Sequence, residues 1–93
     1  MSSAWCVYMV RCADGSLYTG IATDAARRVA EHNSSDQLAA KYTRARRPVV
    51  LVYEESCADR AAATRREHAI KRLARSDKVA LVDVHRNASP LPG

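Results

Sequence analysis

Cysteine is too scarce and too poorly spaced in this chain to staple or ligate it. Cys6, Cys12 and Cys57 are odd in number, with no C-x-x-C pair and no histidine at zinc-finger spacing. That excludes a disulfide framework and argues against structural zinc. No apolar run approaches the ~20 residues a membrane span requires. Met1-Ser2-Ser3-Ala4 is not expected to open a signal peptide. Internal repeats are absent, and 93 residues leave no room for a second core. Residues 1–86 are expected to form one domain and 87–93 a flexible tail, in a reducing cytoplasm. Acidic charge is also short: ten Asp+Glu face fifteen Lys+Arg, a net +5. Such a balance suits polyanions, although many small soluble proteins are as basic without binding one.

What the chain does contain is an ordered set of chemistry-bearing residues. Trp5 to Arg11 and Leu17 to Ala22 are rich in strand formers, and Ala13-Asp14-Gly15 between them reads as a three-residue hairpin loop with Gly15 in the left-handed region. That loop pairs Cys12 with Ser16, Val10 with Tyr18 and Tyr8 with Gly20, which sets Tyr8 and Tyr18 on one face as diagonal neighbours. A two-residue turn would put them on opposite faces. Both phenols are expected to be exposed on that side of the hairpin. Gly20 either leaves space beside the Tyr8 phenol or is simply a strand-end glycine.

Thr23 or Asp24 can cap a helix over 25–32, with Arg28 and His32 on one face and Val29 toward the core. Asn33-Ser34-Ser35-Asp36 breaks it, and a basic connection follows, in which Lys41, Arg44, Arg46 and Arg47 lie within seven residues. Val49 to Tyr53, unbroken and apolar, reads as a central strand covered on both faces. Asp59 to Arg75 is the strongest helix, with Ala63, Glu67, Ile70 and Ala74 on one stripe. A last helix is expected over 78–85, docking through Val79, Leu81, Val82 and Val84.

Phosphodiester cleavage needs an aimed water, charge neutralisation at phosphorus and help for the leaving alkoxide. Arg28 offers a permanently charged fork matched to phosphate, or else a helix-surface salt bridge to Asp24 or Glu31. Ionising a free phenol at neutral pH costs about 4 kcal/mol. Tyr8 could therefore act as a base only beside a cation; otherwise it aims a metal-bound water. Tyr8 and Tyr18 could equally be core residues of a half-buried sheet. His32 could relay a proton or hold a phosphate, or it could be a histidine favoured by the helix dipole. Glu67 pairs with Arg66 or Lys71, or reaches a cation; one carboxylate makes a weak Mg²⁺ site that leaves most coordination to water and phosphate.

The ordered set Val7-Tyr8, Tyr18-Thr19-Gly20, Arg28, His32-Asn33 and Glu67 resembles the GIY-YIG nuclease superfamily, above all its small stand-alone bacterial members. An arginine eight residues and a histidine twelve residues after Gly20, and the segment 65–73 around Glu67, carry the resemblance. The first motif keeps only its tyrosine, and the second has Thr19 at its centre. The resemblance implies an α/β fold, a small three-stranded antiparallel sheet flanked by helices in order β-β-α-β-α-α. It implies metal-dependent endonuclease activity with Mg²⁺ or Mn²⁺, on DNA more than RNA, either structure-selective or acting in repair or recombination. Tyr8, Tyr18, Arg28, His32 and Glu67 would be catalytic, with Glu67 the metal ligand. Arg27, Lys41, Tyr42, Arg44, Arg46 and Arg47 would bind nucleic acid, with Tyr42 an additional substrate contact. No DNA-targeting module is evident, so a protein partner or the substrate's shape would supply recognition. The alternative is a non-catalytic nucleic-acid-binding module on the same scaffold.

Overall fold

A computed structural model describes residues 4–88. The elements are β1 (Cys6–Arg11), β2 (Leu17–Ala22), α1 (Ala25–Ser34), α2 (Lys41–Arg44), β3 (Val50–Ser56), α3 (Arg60–Lys71) and α4 (Arg75–Ala88). The expected order holds, with one short helix, α2, added inside the basic connection. Residues 87 and 88 still belong to α4; the rest of the expected tail lies outside the described residues.

The three strands form one antiparallel sheet in the order β2-β1-β3. This corrects the expectation for the third strand: β1 is central and β3 lies at an edge, with Val50 exposed. An apolar run shows that a strand is covered, not how many neighbours it has, and β3 gains cover from α4 on one face. The strand with both faces covered is β1, whose first five residues are all buried. Its pleat sends Cys6, Tyr8 and Val10 into one cluster with Ala25 and Val29 of α1, and Val7 and Met9 into another with Ala63 and Ile70 of α3.

The hairpin forms in the register its loop dictates. Gly15 has φ +85°, Cys12 N–H donates to the Ser16 carbonyl at 2.8 Å, and Tyr8 stands opposite Gly20. Asp14 locks the loop by accepting from the Ser16 amide and hydroxyl. Between β1 and β3 the register slips at Met9/Val10, a bulge that leaves Val52 without a partner.

Side chains hold the helix ends. Asp24 accepts from the Arg27 amide at 3.0 Å and Asp59 from the Ala62 amide at 2.8 Å, relieving unpaired N–H groups at the starts of α1 and α3. The helix expected to run to Arg75 stops at Lys71, and α4 begins three residues earlier than expected. Leu81 and Val82 dock on the second cluster as expected, while Val79 and Val84 are exposed.

The C-terminal end of α1 is clamped twice. The Asn33 amide donates to the Val49 carbonyl at 2.9 Å and accepts from the Val49 N–H at 2.7 Å, imitating a strand partner. Arg47 donates to the carbonyls of His32 (2.5 Å) and Ser35 (2.9 Å) and to the Asp36 carboxylate (2.8 Å). Asn33→Ala should therefore cost about 1–3 kcal/mol, since it leaves two backbone groups of Val49 unpaired. Urea denaturation of the two proteins measures this directly, and an unchanged midpoint would contradict the clamp.

Candidate active site

The first cluster has a polar centre. Tyr8 is 1% exposed, and its hydroxyl lies 2.8 Å from Nε2 of His32, itself 0% exposed. On the far side of the ring, His32 Nδ1 lies 2.7 Å from the hydroxyl oxygen of buried Thr43. That hydroxyl donates in turn to the Ala40 carbonyl at 3.0 Å. Two expectations change here. Tyr8 is not exposed on the hairpin surface, because its ring points into the first cluster where α1 covers it. Tyr18 is not fully exposed either, because it packs partly buried against the same cluster, in which the His32 ring is the partner that lets a phenol be buried.

Burial pushes the Tyr8 phenol well above its ordinary value, Tyr18 adds to the rise, Arg28 opposes it, and Glu67 raises it slightly. The charge or dipole of every other residue proposed for catalysis except His32 thus acts on this phenol, and His32 binds it. The phenol is protonated at neutral pH. Burial also pushes His32 down, to about 4, with the Arg28 charge as the next cause. The pair is neutral: a protonated tyrosine against an uncharged imidazole.

Gly20 makes room for this arrangement. A Cβ built there would lie 2.6 Å from the Tyr8 hydroxyl oxygen and 2.8 Å from Cζ. The ring end is rigid and hydrogen-bonded, so it cannot yield cheaply.

Tyr18 packs edge-on against His32, with ring centres 5.4 Å apart, and stacks on Tyr42 at 5.9 Å. The guanidinium of Arg46 covers Tyr42 at 3.8 Å from the ring centre. It is pinned there by Asp14 at 3.1 Å and by the Tyr42 carbonyl at 3.0 Å. Tyr42 is therefore engaged by two of the protein's own groups, Tyr18 and Arg46, while remaining 38% exposed.

Arg28 Nη1 donates to the Leu38 carbonyl at 2.6 Å and to Glu31 at 3.2 Å, so of the two salt bridges open to it, the structure contains the one to Glu31. Asp24 is engaged as the helix cap. Arg28 also borders a cleft of about 320 Å³ lined by Trp5, Ile21, Thr23, Asp24, Arg27 and Glu31 among others. Arg27 is 78% exposed and pairs with Glu31 at 3.3 Å.

Glu67 projects from the apolar stripe of α3, which lies against β2, with only 16% of its side chain exposed. Its ion-pair partner is Lys71 at 3.5 Å, not Arg66, which turns instead to Glu55 on β3. No group of three His, Cys, Asp or Glu side chains capable of holding a metal occurs among the described residues. A lone, largely sheltered carboxylate is a donor set that fits Mg²⁺ or Mn²⁺ only when water and substrate phosphate complete the shell.

The basic connection reaches this centre through Tyr42 and Thr43, while its cations are engaged elsewhere. Arg44 donates to the Asp36 carbonyl at 2.8 Å, while Arg46 and Arg47 are tied down as described. Lys41 is exposed. Sequence reasoning assigns Thr43 no role, and Asn33 enters it only within the motif and as part of a helix-breaking segment. Thr43 meets His32 from eleven positions away through a loop, a juxtaposition without local periodicity, whereas Asn33 directly follows the histidine it steadies. Cys6 and Cys12 are buried and free, as small apolar strand residues are.

The GIY-YIG catalytic domain model matches residues 4–80. The chain is similar to a UPF0213 protein of Desulfotalea psychrophila, 61% identical over 79 residues that make up 85% of this chain and 71% of that protein. It is 53% identical over 75 residues to a UPF0213 protein of Halobacterium salinarum, covering 81% of this chain and 95% of that one. The solution structure of a UPF0213 protein from Bacillus halodurans matches with a TM-score of 0.55 at 40% identity, covering 86% of this chain and 83% of that one. A protein from E. faecalis matches at 0.58 and 34%, covering 95% and 92%. No helix among the described residues is long and apolar enough to cross a membrane.

Two outcomes follow from the buried pair. His32 titrates near 6.5 when unfolded and at about 4 when folded, so between those values the unfolded chain binds the additional proton. Its contribution is complete above pH 6.5 and is lost as pH falls through about 4, roughly 3 kcal/mol in all. Urea denaturation near pH 7.5 and near pH 4.5 measures the loss, and His32→Gln should lack that component. Gly20→Ala should cost about 1–3 kcal/mol by overpacking against Tyr8. A thermal midpoint equal to wild type would show that the phenol has room to move.

Proposed function

The chain belongs to the GIY-YIG catalytic domain family, and from that premise we propose that it is a divalent-metal-dependent endonuclease acting on DNA, selective for substrate structure. The observation that carries the proposal is geometric: the Tyr8 hydroxyl is hydrogen-bonded to His32 at 2.8 Å, Tyr18 packs on that same imidazole, and Arg28 lies one turn before His32 on α1.

In this reading Arg28 meets a non-bridging phosphate oxygen. Its fork is already aimed by the Leu38 carbonyl and Glu31, so little orientation is lost on binding. Tyr8, kept protonated by burial, aims the attacking water; its raised pKa argues against a standing phenolate as base. Tyr18, beside both Tyr8 and His32, contributes a second phenol to the same oxygen-rich centre. Glu67 would hold Mg²⁺ or Mn²⁺. When bound, such an ion neutralises phosphate charge and makes its water more acidic. Water adds to phosphorus, the P–O ester bond breaks, and the leaving alkoxide takes up a proton.

Arg27, exposed beside Arg28, and Lys41 are the cations best placed to meet neighbouring phosphates. Arg44 and Arg46 would assist by exchanging protein contacts for phosphate; Arg47 serves mainly as a helix clamp, and Tyr42 acts through Tyr18. A purely binding module would lean on the 41–47 segment, where three of four cations are tied to protein carbonyls or carboxylates. That weighs for the catalytic reading. A partner protein, or the shape of a branched or nicked substrate, would supply targeting.

A panel of branched, nicked, single-stranded and duplex DNA with Mg²⁺ or Mn²⁺ tests the activity. Arg28→Ala should lower single-turnover cleavage by at least about 100-fold while costing about 1–2 kcal/mol of stability, since it removes a half-sheltered ion pair and the bond to the Leu38 carbonyl and leaves the protein folded. Glu67→Gln should bind the substrate with wild-type affinity but gain no turnover from added metal. Unchanged cleavage in Arg28→Ala would remove the assignment.

A further inference from the structure

The hydrogen bonds around His32 have a direction. Thr43 owns one hydroxyl proton, and its oxygen lies 3.0 Å from the Ala40 carbonyl, which can only accept. With the proton placed there, the oxygen must accept from His32 Nδ1, 2.7 Å away, so Nδ1 carries the hydrogen. A neutral imidazole then presents a lone pair at Nε2, which accepts the Tyr8 hydroxyl proton at 2.8 Å. Every proton in the chain finds an acceptor. The opposite tautomer would send Nε2–H toward the Tyr8 oxygen, and among the described residues no second protein acceptor stands ready for the phenol's own proton. That alternative would have the Thr43 hydroxyl give up the Ala40 carbonyl to donate to Nδ1, and the contact that adds to it, the Ala40 N–H to Nδ1, is long at 3.4 Å.

We propose that Thr43 is a positioning residue that fixes His32 as the Nδ1–H tautomer, so that the Tyr8 hydroxyl donates inward to Nε2 and keeps its lone pairs for the attacking water. Tyr8 aims water only if its oxygen accepts, and it accepts freely only when its proton is already committed. Thr43 touches neither water nor phosphate; it acts through the ring. Because it lies in α2, the basic connection contributes to the site through tautomer control. The consequence for rate rests on the hydrolytic reading above, whereas the tautomer does not.

Long-range ¹H–¹⁵N correlation spectra of the uniformly labelled protein at neutral pH, without substrate, read the tautomer. Wild type should show a protonated-type shift at His32 Nδ1 and an unprotonated-type shift at Nε2. Thr43→Ser keeps the oxygen and should keep this pattern. Thr43→Val keeps the volume and should move it toward the Nε2–H form. On whichever DNA the wild type cleaves, Thr43→Val should lower the single-turnover rate roughly 10–100-fold, the range of outer-shell losses at histidines. Apparent substrate affinity should be unchanged, and Thr43→Ser should restore the rate. An Nε2–H pattern in wild type overturns the inference, as does a Thr43→Val protein with unchanged pattern and rate. If Thr43→Val fails to fold, the wild-type and Thr43→Ser spectra still decide. Absence of cleavage with the expected spectra would sink the nuclease assignment and leave the tautomer standing.

Discussion

Burial of the Tyr8–His32 hydrogen bond is the constraint around which the rest of this small domain is arranged. Two polar rings sit where the first cluster would otherwise be apolar, and each is tolerable only because it satisfies the other. The consequences spread outward. The residue opposite Tyr8 on β2 must be Gly20. The far nitrogen of His32 needs a partner, which obliges the chain to return at Thr43. Both groups are held neutral at physiological pH, which sets the chemistry open to the site: orientation and hydrogen bonding in place of a standing charge.

Charge is supplied from outside that neutral pair. Arg28 comes from the first turn of α1 and Glu67 from α3, so the positive and negative groups belong to helices on different sides of the sheet. Each is half-sheltered and has one partner of its own sign-complement, Glu31 or Lys71. Such pairs are weak enough to exchange for phosphate or metal. A site with neutral groups at its centre and exchangeable charges at its rim can fold without ligand and still have strong electrostatics to offer when one arrives.

The basic segment shows that part of a net charge of +5 serves the fold itself. Arg47 closes the carbonyl end of α1 and Arg46 binds the hairpin loop to the ring of Tyr42. Their guanidinium forks act as multi-pronged connectors between loops that share no regular hydrogen bonding. Clustering in sequence therefore reflected the need to fasten α2 and its flanks as much as any surface for phosphate.

Much was legible without coordinates. The three-residue loop fixed the hairpin register, and with it the placing of Tyr8 opposite Gly20 and of Tyr18 two positions away, because turn length and pleat are local rules. A capping residue at 23 or 24, of which the structure uses Asp24, and the helical stripe holding Glu67 followed from equally local chemistry. Only the tertiary structure decided that β1 and not β3 lies at the centre of the sheet, since pairing partners are not encoded in a strand's own hydrophobicity. It alone decided that Tyr8 and His32 are buried and neutral, that Thr43 completes their chain, and which carbonyls Arg44, Arg46 and Arg47 hold. These depend on groups separated by tens of residues meeting in space, where burial and a partner's lone pair, not sequence pattern, determine what a polar side chain does.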